Sequence, residues 1–418
     1  MEPPAHIKSK LQPDVSHPGP PLAAKLSSTL RGLAKPRNGM EPRSDIPKVS
    51  AAPTSGGSGD PSLASRLQAR TPGKRILALD ALRGFAACVV VLHHFRLAYS
   101  TEPPRWFAMP LFAGFPSVIL FFVLSGYVLG LPFWRGSQPS YGKYLTRRFF
   151  RIYVPYAVLI VIALAVGSRL LFAQLPLSPW FYSIWHSPLT IGIIARQFFT
   201  ISPDSVISTA VWSLRYEMEI SIIFPLICWL IPRIGSWGAP IMAIITFEAG
   251  QLLLRIHGHP YLSEAAHTMQ YTADFAFGAL LSWKRDQIVW LYNRTPLALK
   301  IAILGLTTVG YYAASKPIFL PLSACAVIVF AQQSFIKRFL QRPFAEYLGR
   351  ISYSLYLVHG TILFTTLIML YGRIPFIEIF TIYIVLSFIA AHLFCVLIEE
   401  PSLRLGKRLT QQTPRDSP

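Results

Sequence analysis

Charged side chains are scarce in this sequence: they make up 14% of 418 residues, against roughly 25% in an ordinary soluble domain, while 52% of the residues are hydrophobic. That shortage excludes a soluble globular protein and points to a polytopic membrane protein. Cysteine is scarce too. Cys88, Cys228, Cys325 and Cys395 all lie within apolar segments and lack metal-ligand spacing, so neither a disulfide framework nor a zinc site follows. The first apolar run begins only near residue 77, so no signal peptide is expected and the first span must serve as its own targeting signal. A formal net charge of +20 raises the question of nucleic acid. A nucleic-acid binder gathers its basic residues on one solvated face, whereas here they sit in short clusters between apolar runs. The excess therefore reads as a positive-inside signal, with membrane lipid headgroups as its partners.

Residues 1–75 are rich in Pro, Ser, Gly, Lys and Arg, a composition that cannot bury enough apolar surface to fold alone, and are expected to form a disordered basic cytosolic tail. Apolar stretches of roughly 17–25 residues, enough to cross the hydrocarbon of a bilayer, then recur. They lie near 78–99, 115–134, 150–172, 211–231, 238–256, 268–284, 299–315, 318–335, 351–371 and 377–398. The expected fold is all-α: a polytopic transmembrane helix bundle of about ten spans, with a membrane domain over 76–403 and a C-terminal tail over 404–418. Both termini are expected to be cytosolic, because ten spans put the clusters at Lys74/Arg75, Arg135–Arg148, Lys284–Arg294, Lys337–Arg342 and Arg404–Arg408 on one side. An eleventh span at 189–199 would turn the later clusters outward, so 173–210 reads as an external loop with a short interfacial or re-entrant helix. The sequon at Asn293 falls among basic residues and is read as a chance match.

Within the first span, "LDALRGFAACVVVLHHF" (79–95) carries Arg83, His93 and His94. Arg83 and His94 are eleven residues apart, which returns to the same helical face about 16 Å further along; His93 falls off that face. A charge at such depth is expensive without a partner or a watery cavity, which makes these groups functional candidates. Arg83 reads equally as half of a neutral pair with Asp80, three residues earlier, or as a functional cation. For His94 the functional reading is the stronger.

The sequence resembles the acyltransferase 3 family of integral-membrane acyltransferases. The resemblance rests on the Arg-x10-His pattern of Arg83 and His94, on "FFVLSGYVLG" (121–130), "RRFFRIYVPY" (147–156), "WSLRYEMEI" (212–220), "ISYSLYLVHG" (351–360) and "IEEPSLRLGKR" (398–408), in the family's order over about residues 76–408. It implies transfer of an acyl group, commonly acetyl, from acyl-CoA to a hydroxyl of a sugar, lipid or secondary metabolite. One departure is "RYEME" in place of two adjacent acids, which leaves open which of Glu217 and Glu219 is the working acid.

An alcohol is a poor nucleophile near neutral pH, so transfer to it needs a base, and an imidazole suits that task; His94 is the candidate. A thioester donor needs no metal, but its phosphates need cations. Taken alone, Arg147, Arg148 and Arg151 would read as a positive-inside anchor. The resemblance implies that the Arg148/Arg151 pair is functional, and guanidinium groups hold phosphate bidentately. Arg83 is then expected to contact the phosphates or the pantetheine arm. Glu217 is expected near the outer surface, at the level of His94, where it orients His94 or positions the acceptor hydroxyl; the rival reading pairs it with Arg215 or another buried cation. His359 either lines the donor channel or hydrogen-bonds a neighbouring helix. Ser125, Gly126 and Tyr127 read as packing residues. The alternatives are a secondary transporter of a small anionic metabolite and a catalytically silent acyl-CoA or lipid sensor; no inverted repeat supports the first. The basic tail suits a eukaryotic endomembrane such as the endoplasmic reticulum.

Overall fold

The computed structural model describes residues 76–99, 113–137, 139–167, 175–182, 184, 190–199, 207–255, 260–313 and 319–411. The expected tail at 1–75 lies outside these residues, as do His186, His257 and His259. Among the described residues all regular structure is helical, because a segment in hydrocarbon must satisfy its backbone polar groups internally. The first half of the chain holds α1 (Leu77–Tyr99), α2 (Gly114–Trp134), α3 (Tyr141–Gly167), the short α4 (Pro179–Tyr182) and α5 (Ile191–Phe198), α6 (Val211–Ile234) and α7 (Gly238–Arg255). The second half holds α8 (Pro260–Trp283), α9 (Arg285–Arg294), α10 (Leu297–Ala313), α11 (Phe319–Gln333), α12 (Ile336–Leu340), α13 (Pro343–Leu370), α14 (Phe376–Phe394) and α15 (Glu400–Thr410). A π-helical turn, Cys395–Glu399, joins α14 to α15.

Wherever its residues are described, each apolar stretch read from the sequence is mainly helical. Among the described residues, five helices are long and apolar enough to cross a membrane: α1, α2, α3, α13 and the continuous run Phe376–Thr410. The charges of "WSLRYEME" interrupt the apolar character of α6, and α10 and α11 hold shorter apolar stretches. The segment assigned to an external loop contains α4 and α5, as its short-helix reading expected. Residues 404–410 form the end of α15: Gly406 packs on Phe150 and Arg147 Nε donates to Thr410 Oγ1 at 2.8 Å, fastening α15 along α3.

Two backbone-to-backbone contacts set the bundle. Gly84 of α1 lies against Leu348, and Gly349 of α13 lies against Asp80; a Cβ on either glycine would come within 2.5 Å of main-chain carbon. Gly126 of α2 meets the carbonyl of Phe275, and Gly278 of α8 meets that of Val123, in the same manner. In lipid there is little hydrophobic drive between helices, so association relies on close van der Waals packing, and small residues permit it. The packing role read for Gly126 agrees with this contact. Around these seams lie the buried rings Phe95, Phe122, Tyr127, Tyr156, Phe224, Phe275 and Tyr383, while Ile222, Leu226 and Trp229 of α6 face outward.

The helix α6 begins inside the bundle. Ile207, Ser208, Thr209 and Ala210, which lead into it, are all buried, and Thr209 packs on Gly360 of α13. Ser213, two residues into α6, hydrogen-bonds the hydroxyl of Tyr356, which lies about 20 Å along α13 at 1.5 Å per residue. The start of "WSLRYEMEI" is therefore carried deep, next to residues from α2, α3 and α13.

Candidate active site

A cavity of about 670 Å³ opens between α1, α2, α3, α6, α13 and α15. Its cations are Arg83 of α1, Arg135 after α2, Arg147, Arg148 and Arg151 of α3, Arg350 of α13 and Lys407 of α15. The carboxylates on its wall are Asp80, Glu217, Glu399 and Glu400, which among the described residues leaves an excess of three positive charges. Three of the arginines arrive together because positions 147, 148 and 151 cover one turn of α3. The π turn lies on the same wall with Cys395 and Glu399; such turns recur at functional sites.

The carboxylates divide these cations unequally. Arg148 donates through Nη2 to Glu217 Oε1 at 2.9 Å, and to Ser221 Oγ through Nη2 at 2.8 Å and Nε at 3.1 Å. Ser125 Oγ donates to the same Glu217 oxygen at 3.1 Å, so this serine holds the acid as well as packing. Arg83 reaches Asp80 at 3.5 Å and has Arg148, Arg151 and Glu217 within electrostatic range. At the exposed rim Arg350 binds Glu400 at 2.6 Å. Arg151 lines the cavity with no ion-pair partner among the described residues. A guanidinium in that position is ready for an anion that the protein does not itself supply.

The two acids of "RYEME" point opposite ways, because two residues turn a helix by about 200°. Glu217 faces the cavity. Glu219 shares the face of Arg215, which it binds at 2.8 Å, and accepts from Thr268 of α8 at 2.5 Å. Arg215 also reaches Glu264 at 3.3 Å, and Tyr216 donates to Glu264 at 2.7 Å. Glu219 therefore fastens α6 to α8, and Glu217 pairs not with Arg215 but with Arg148, a buried cation of the kind the rival reading allowed.

A second group lies apart from the cavity lining. His94, three turns beyond Arg83 on α1, meets His359 of α13 with Nδ1 and Nε2 2.7 Å apart. The ring centroids are 4.9 Å apart and the planes differ by 9°. Face-stacked rings cannot bring two nitrogens that close, so the rings meet edge to edge in one plane, the alignment an N–H···N bond prefers. Trp180 of α4 lies nearly parallel to His94, with centroids 5.2 Å apart, and α4 is tied to α1 by the Ser178 amide donating to Ala98 at 3.2 Å. His359 is fully buried, and its Nδ1 is 3.1 Å from the carbonyl oxygen of Leu355.

Tyr356 stands between the two groups. It lines the cavity beside Phe121 and Ser213, and its ring centroid is 5.9 Å from that of His359.

Of the residues singled out in the sequence, the structure gathers Arg83, Arg148, Arg151 and Glu217 around one cavity and joins His94 to His359. It does not join Glu217 to His94. The expected level of Glu217 assumed that α6 starts at the outer surface; because α6 starts inside the bundle, Glu217 sits among the arginines instead. Sequence reading passed over Trp180, Tyr356, Ser213 and Ser221. Tyr356 lies within the same "YSLYLVH" block as His359 and was within reach; Trp180 sits in a loop with no pattern of its own.

Helices of membrane-spanning length around an internal, cation-lined cavity define an integral membrane protein with a binding chamber inside its bundle. The chain belongs to the acyltransferase 3 family: the family's model, described as an acyltransferase domain, matches residues 76–400 and takes in Arg83, His94, Arg148, Arg151, Glu217 and His359. It is accordingly a membrane acyltransferase. A protein of Rhizobium radiobacter described as protein 2 in the picA locus is 24% identical over 183 residues, covering 41% of this chain and 86% of its own length. No solved structure matches the chain.

Proposed function

We propose that this protein moves an acyl group, acetyl by first preference, from acyl-CoA to a hydroxyl of a sugar, lipid or secondary metabolite. The observation that carries the reading is Arg151, which among the described residues has no carboxylate partner, in a cavity whose described lining holds an excess of three positive charges. Coenzyme A brings several phosphate charges on a long, flexible arm, and such a cavity suits its head. Arg148 and Arg83 flank Arg151 as further phosphate ligands, with Glu217 and Ser221 holding Arg148 in place. The part of the wall formed by Phe121, Ser213 and Tyr356 suits the pantetheine arm.

In this reading the bundle crosses the membrane about ten times with both termini in the cytosol, and the arginine-lined end opens to the cytosolic donor. His94 is the general base. It takes the proton of the acceptor hydroxyl as the oxygen bonds to the thioester carbonyl carbon; the carbon–sulfur bond then breaks, and His94 returns the proton to the leaving thiolate. The thioester reaches His94 past Tyr356, whose side chain moves aside when the donor enters.

The test compares coenzyme A affinity with acetyl-CoA turnover for wild type, Arg151→Ala and His94→Ala in nanodiscs. Arg151→Ala is expected to lose affinity without loss of folding, and His94→Ala to keep affinity and lose turnover. If the wild-type protein neither binds coenzyme A nor cleaves the thioester, the reading fails.

A further inference from the structure

We infer that His359 is a positioning residue that sets the tautomer of His94 and thereby decides which of its nitrogens can act as base. The inference rests on the acyl-transfer reading for the use made of that nitrogen, though not for the tautomer itself.

A carbonyl oxygen only accepts, so in the 3.1 Å contact between His359 and Leu355 the proton is on His359 Nδ1. A neutral imidazole carries one N–H, which leaves His359 Nε2 with a bare lone pair. The 2.7 Å contact between that atom and His94 Nδ1 then needs its proton on His94 Nδ1. His94 Nε2 is left bare, pointing away from the pair. Neither ring contacts a carboxylate among the described residues that would favour a charged form. One helix carbonyl thus dictates, through two in-line rings, where the lone pair of His94 stands. Which ring nitrogen holds the proton follows from the bond that the other makes.

The surrounding structure holds this geometry. His359 is fully buried, and the Gly84 and Gly349 contacts lock α1 against α13, the two helices that carry the pair. Trp180, parallel to His94, limits rotation of that ring. When His94 accepts the hydroxyl proton on Nε2 it becomes an imidazolium whose Nδ1–H stays bonded to His359 Nε2, so the charge is stabilised where it forms. His359 is absent from the cavity lining, which separates this role from direct contact with the donor.

The experiment uses full-length protein in nanodiscs with ring-15N histidine, read by NMR, together with coenzyme A affinity and turnover. Wild type is expected to show a histidine protonated on Nδ1 and bare on Nε2 that His94→Gln removes and His359→Ala shifts. His359→Ala is expected to reduce turnover roughly 100-fold or more with coenzyme A affinity unchanged. His359→Gln, whose side-chain oxygen can take the His94 proton, should recover a substantial part. A His94 protonated on Nε2 in wild type overturns the inference, as does a His359→Ala variant that loses donor affinity but keeps its turnover number, or a Gln variant no better than Ala. Failure of the acyl-transfer reading registers separately, as wild type that has the Nδ1 proton but cleaves no thioester.

Discussion

The pair between Arg148 and Glu217 allows folding and donor binding to be separated at one residue. The side chains are 10% and 19% exposed and 2.9 Å apart. Replacing Arg148 with Met leaves Glu217 with the Ser125 hydroxyl but without its paired cation. Breaking a buried pair from one side costs about 3–5 kcal/mol. Arg83 and Arg151 remain within electrostatic range of Glu217, so a loss near the lower figure is expected, lowering the melting temperature on the order of 5 °C. Replacing both partners, as Arg148→Met with Glu217→Gln, removes the orphaned charge and should restore most of the stability. Donor binding should behave differently: both variants lack the Arg148 guanidinium, so both should bind coenzyme A weakly. Unfolding can be followed with a thiol-reactive dye, since Cys228 and Cys395 are buried and free in the folded chain, and affinity by titration in the same nanodiscs. A double variant that binds coenzyme A like wild type would refute the reasoning, because Arg148 would then serve only its partner. So would a single variant that melts no lower than the double.

Gly349→Val should destabilise the protein by at least about 1–3 kcal/mol, because its Cβ would meet the main chain of Asp80 at 2.5 Å. Gly142→Ala, with nothing within 4 Å, is the matched control and should be neutral or slightly stabilising in a melting assay. Tyr356→Phe loses only the hydrogen bond to Ser213, about 0.5–1.5 kcal/mol, whereas Tyr356→Ala should raise the turnover of octanoyl-CoA relative to acetyl-CoA; an unchanged ratio would show that this ring does not end the chamber. Arg350→Ala removes a bridge whose arginine is 48% exposed, so its melting temperature should barely move, while its coenzyme A affinity should become weaker and less sensitive to salt.

Much of this protein is legible in order along the chain. Hydrophobic run lengths predict most described helix ends to within a few residues, because a backbone in lipid has few alternatives to a helix, but α8 at Pro260 and α13 at Pro343 each begin eight residues before the runs read from 268 and 351. The start of α3 at Tyr141 lies nine residues before the apolar run read from 150, since "YGKYLTRRF" is helical without being apolar and helix propensity extends past hydropathy. Residues 404–410 are helical for a related reason: with Leu405 and Leu409 exposed among basic residues, α15 has too little apolar character to read as a span.

Periodicity along single helices was enough to put Arg83 and His94 on one stripe and to group Arg148 with Arg151, while it left open which of Glu217 and Glu219 is the working acid. A helix's period fixes which side chains share a face, but it carries no information about what that face meets. Only the tertiary structure decided that Glu217 faces Arg148 while Glu219 ties α6 to α8, because that follows from α6 beginning within the bundle, against Tyr356. Only the tertiary structure joined His94 to His359, residues 265 positions apart, because their contact depends on how closely α1 approaches α13. Two glycines set that approach by lacking the side chains that would have kept the helices apart.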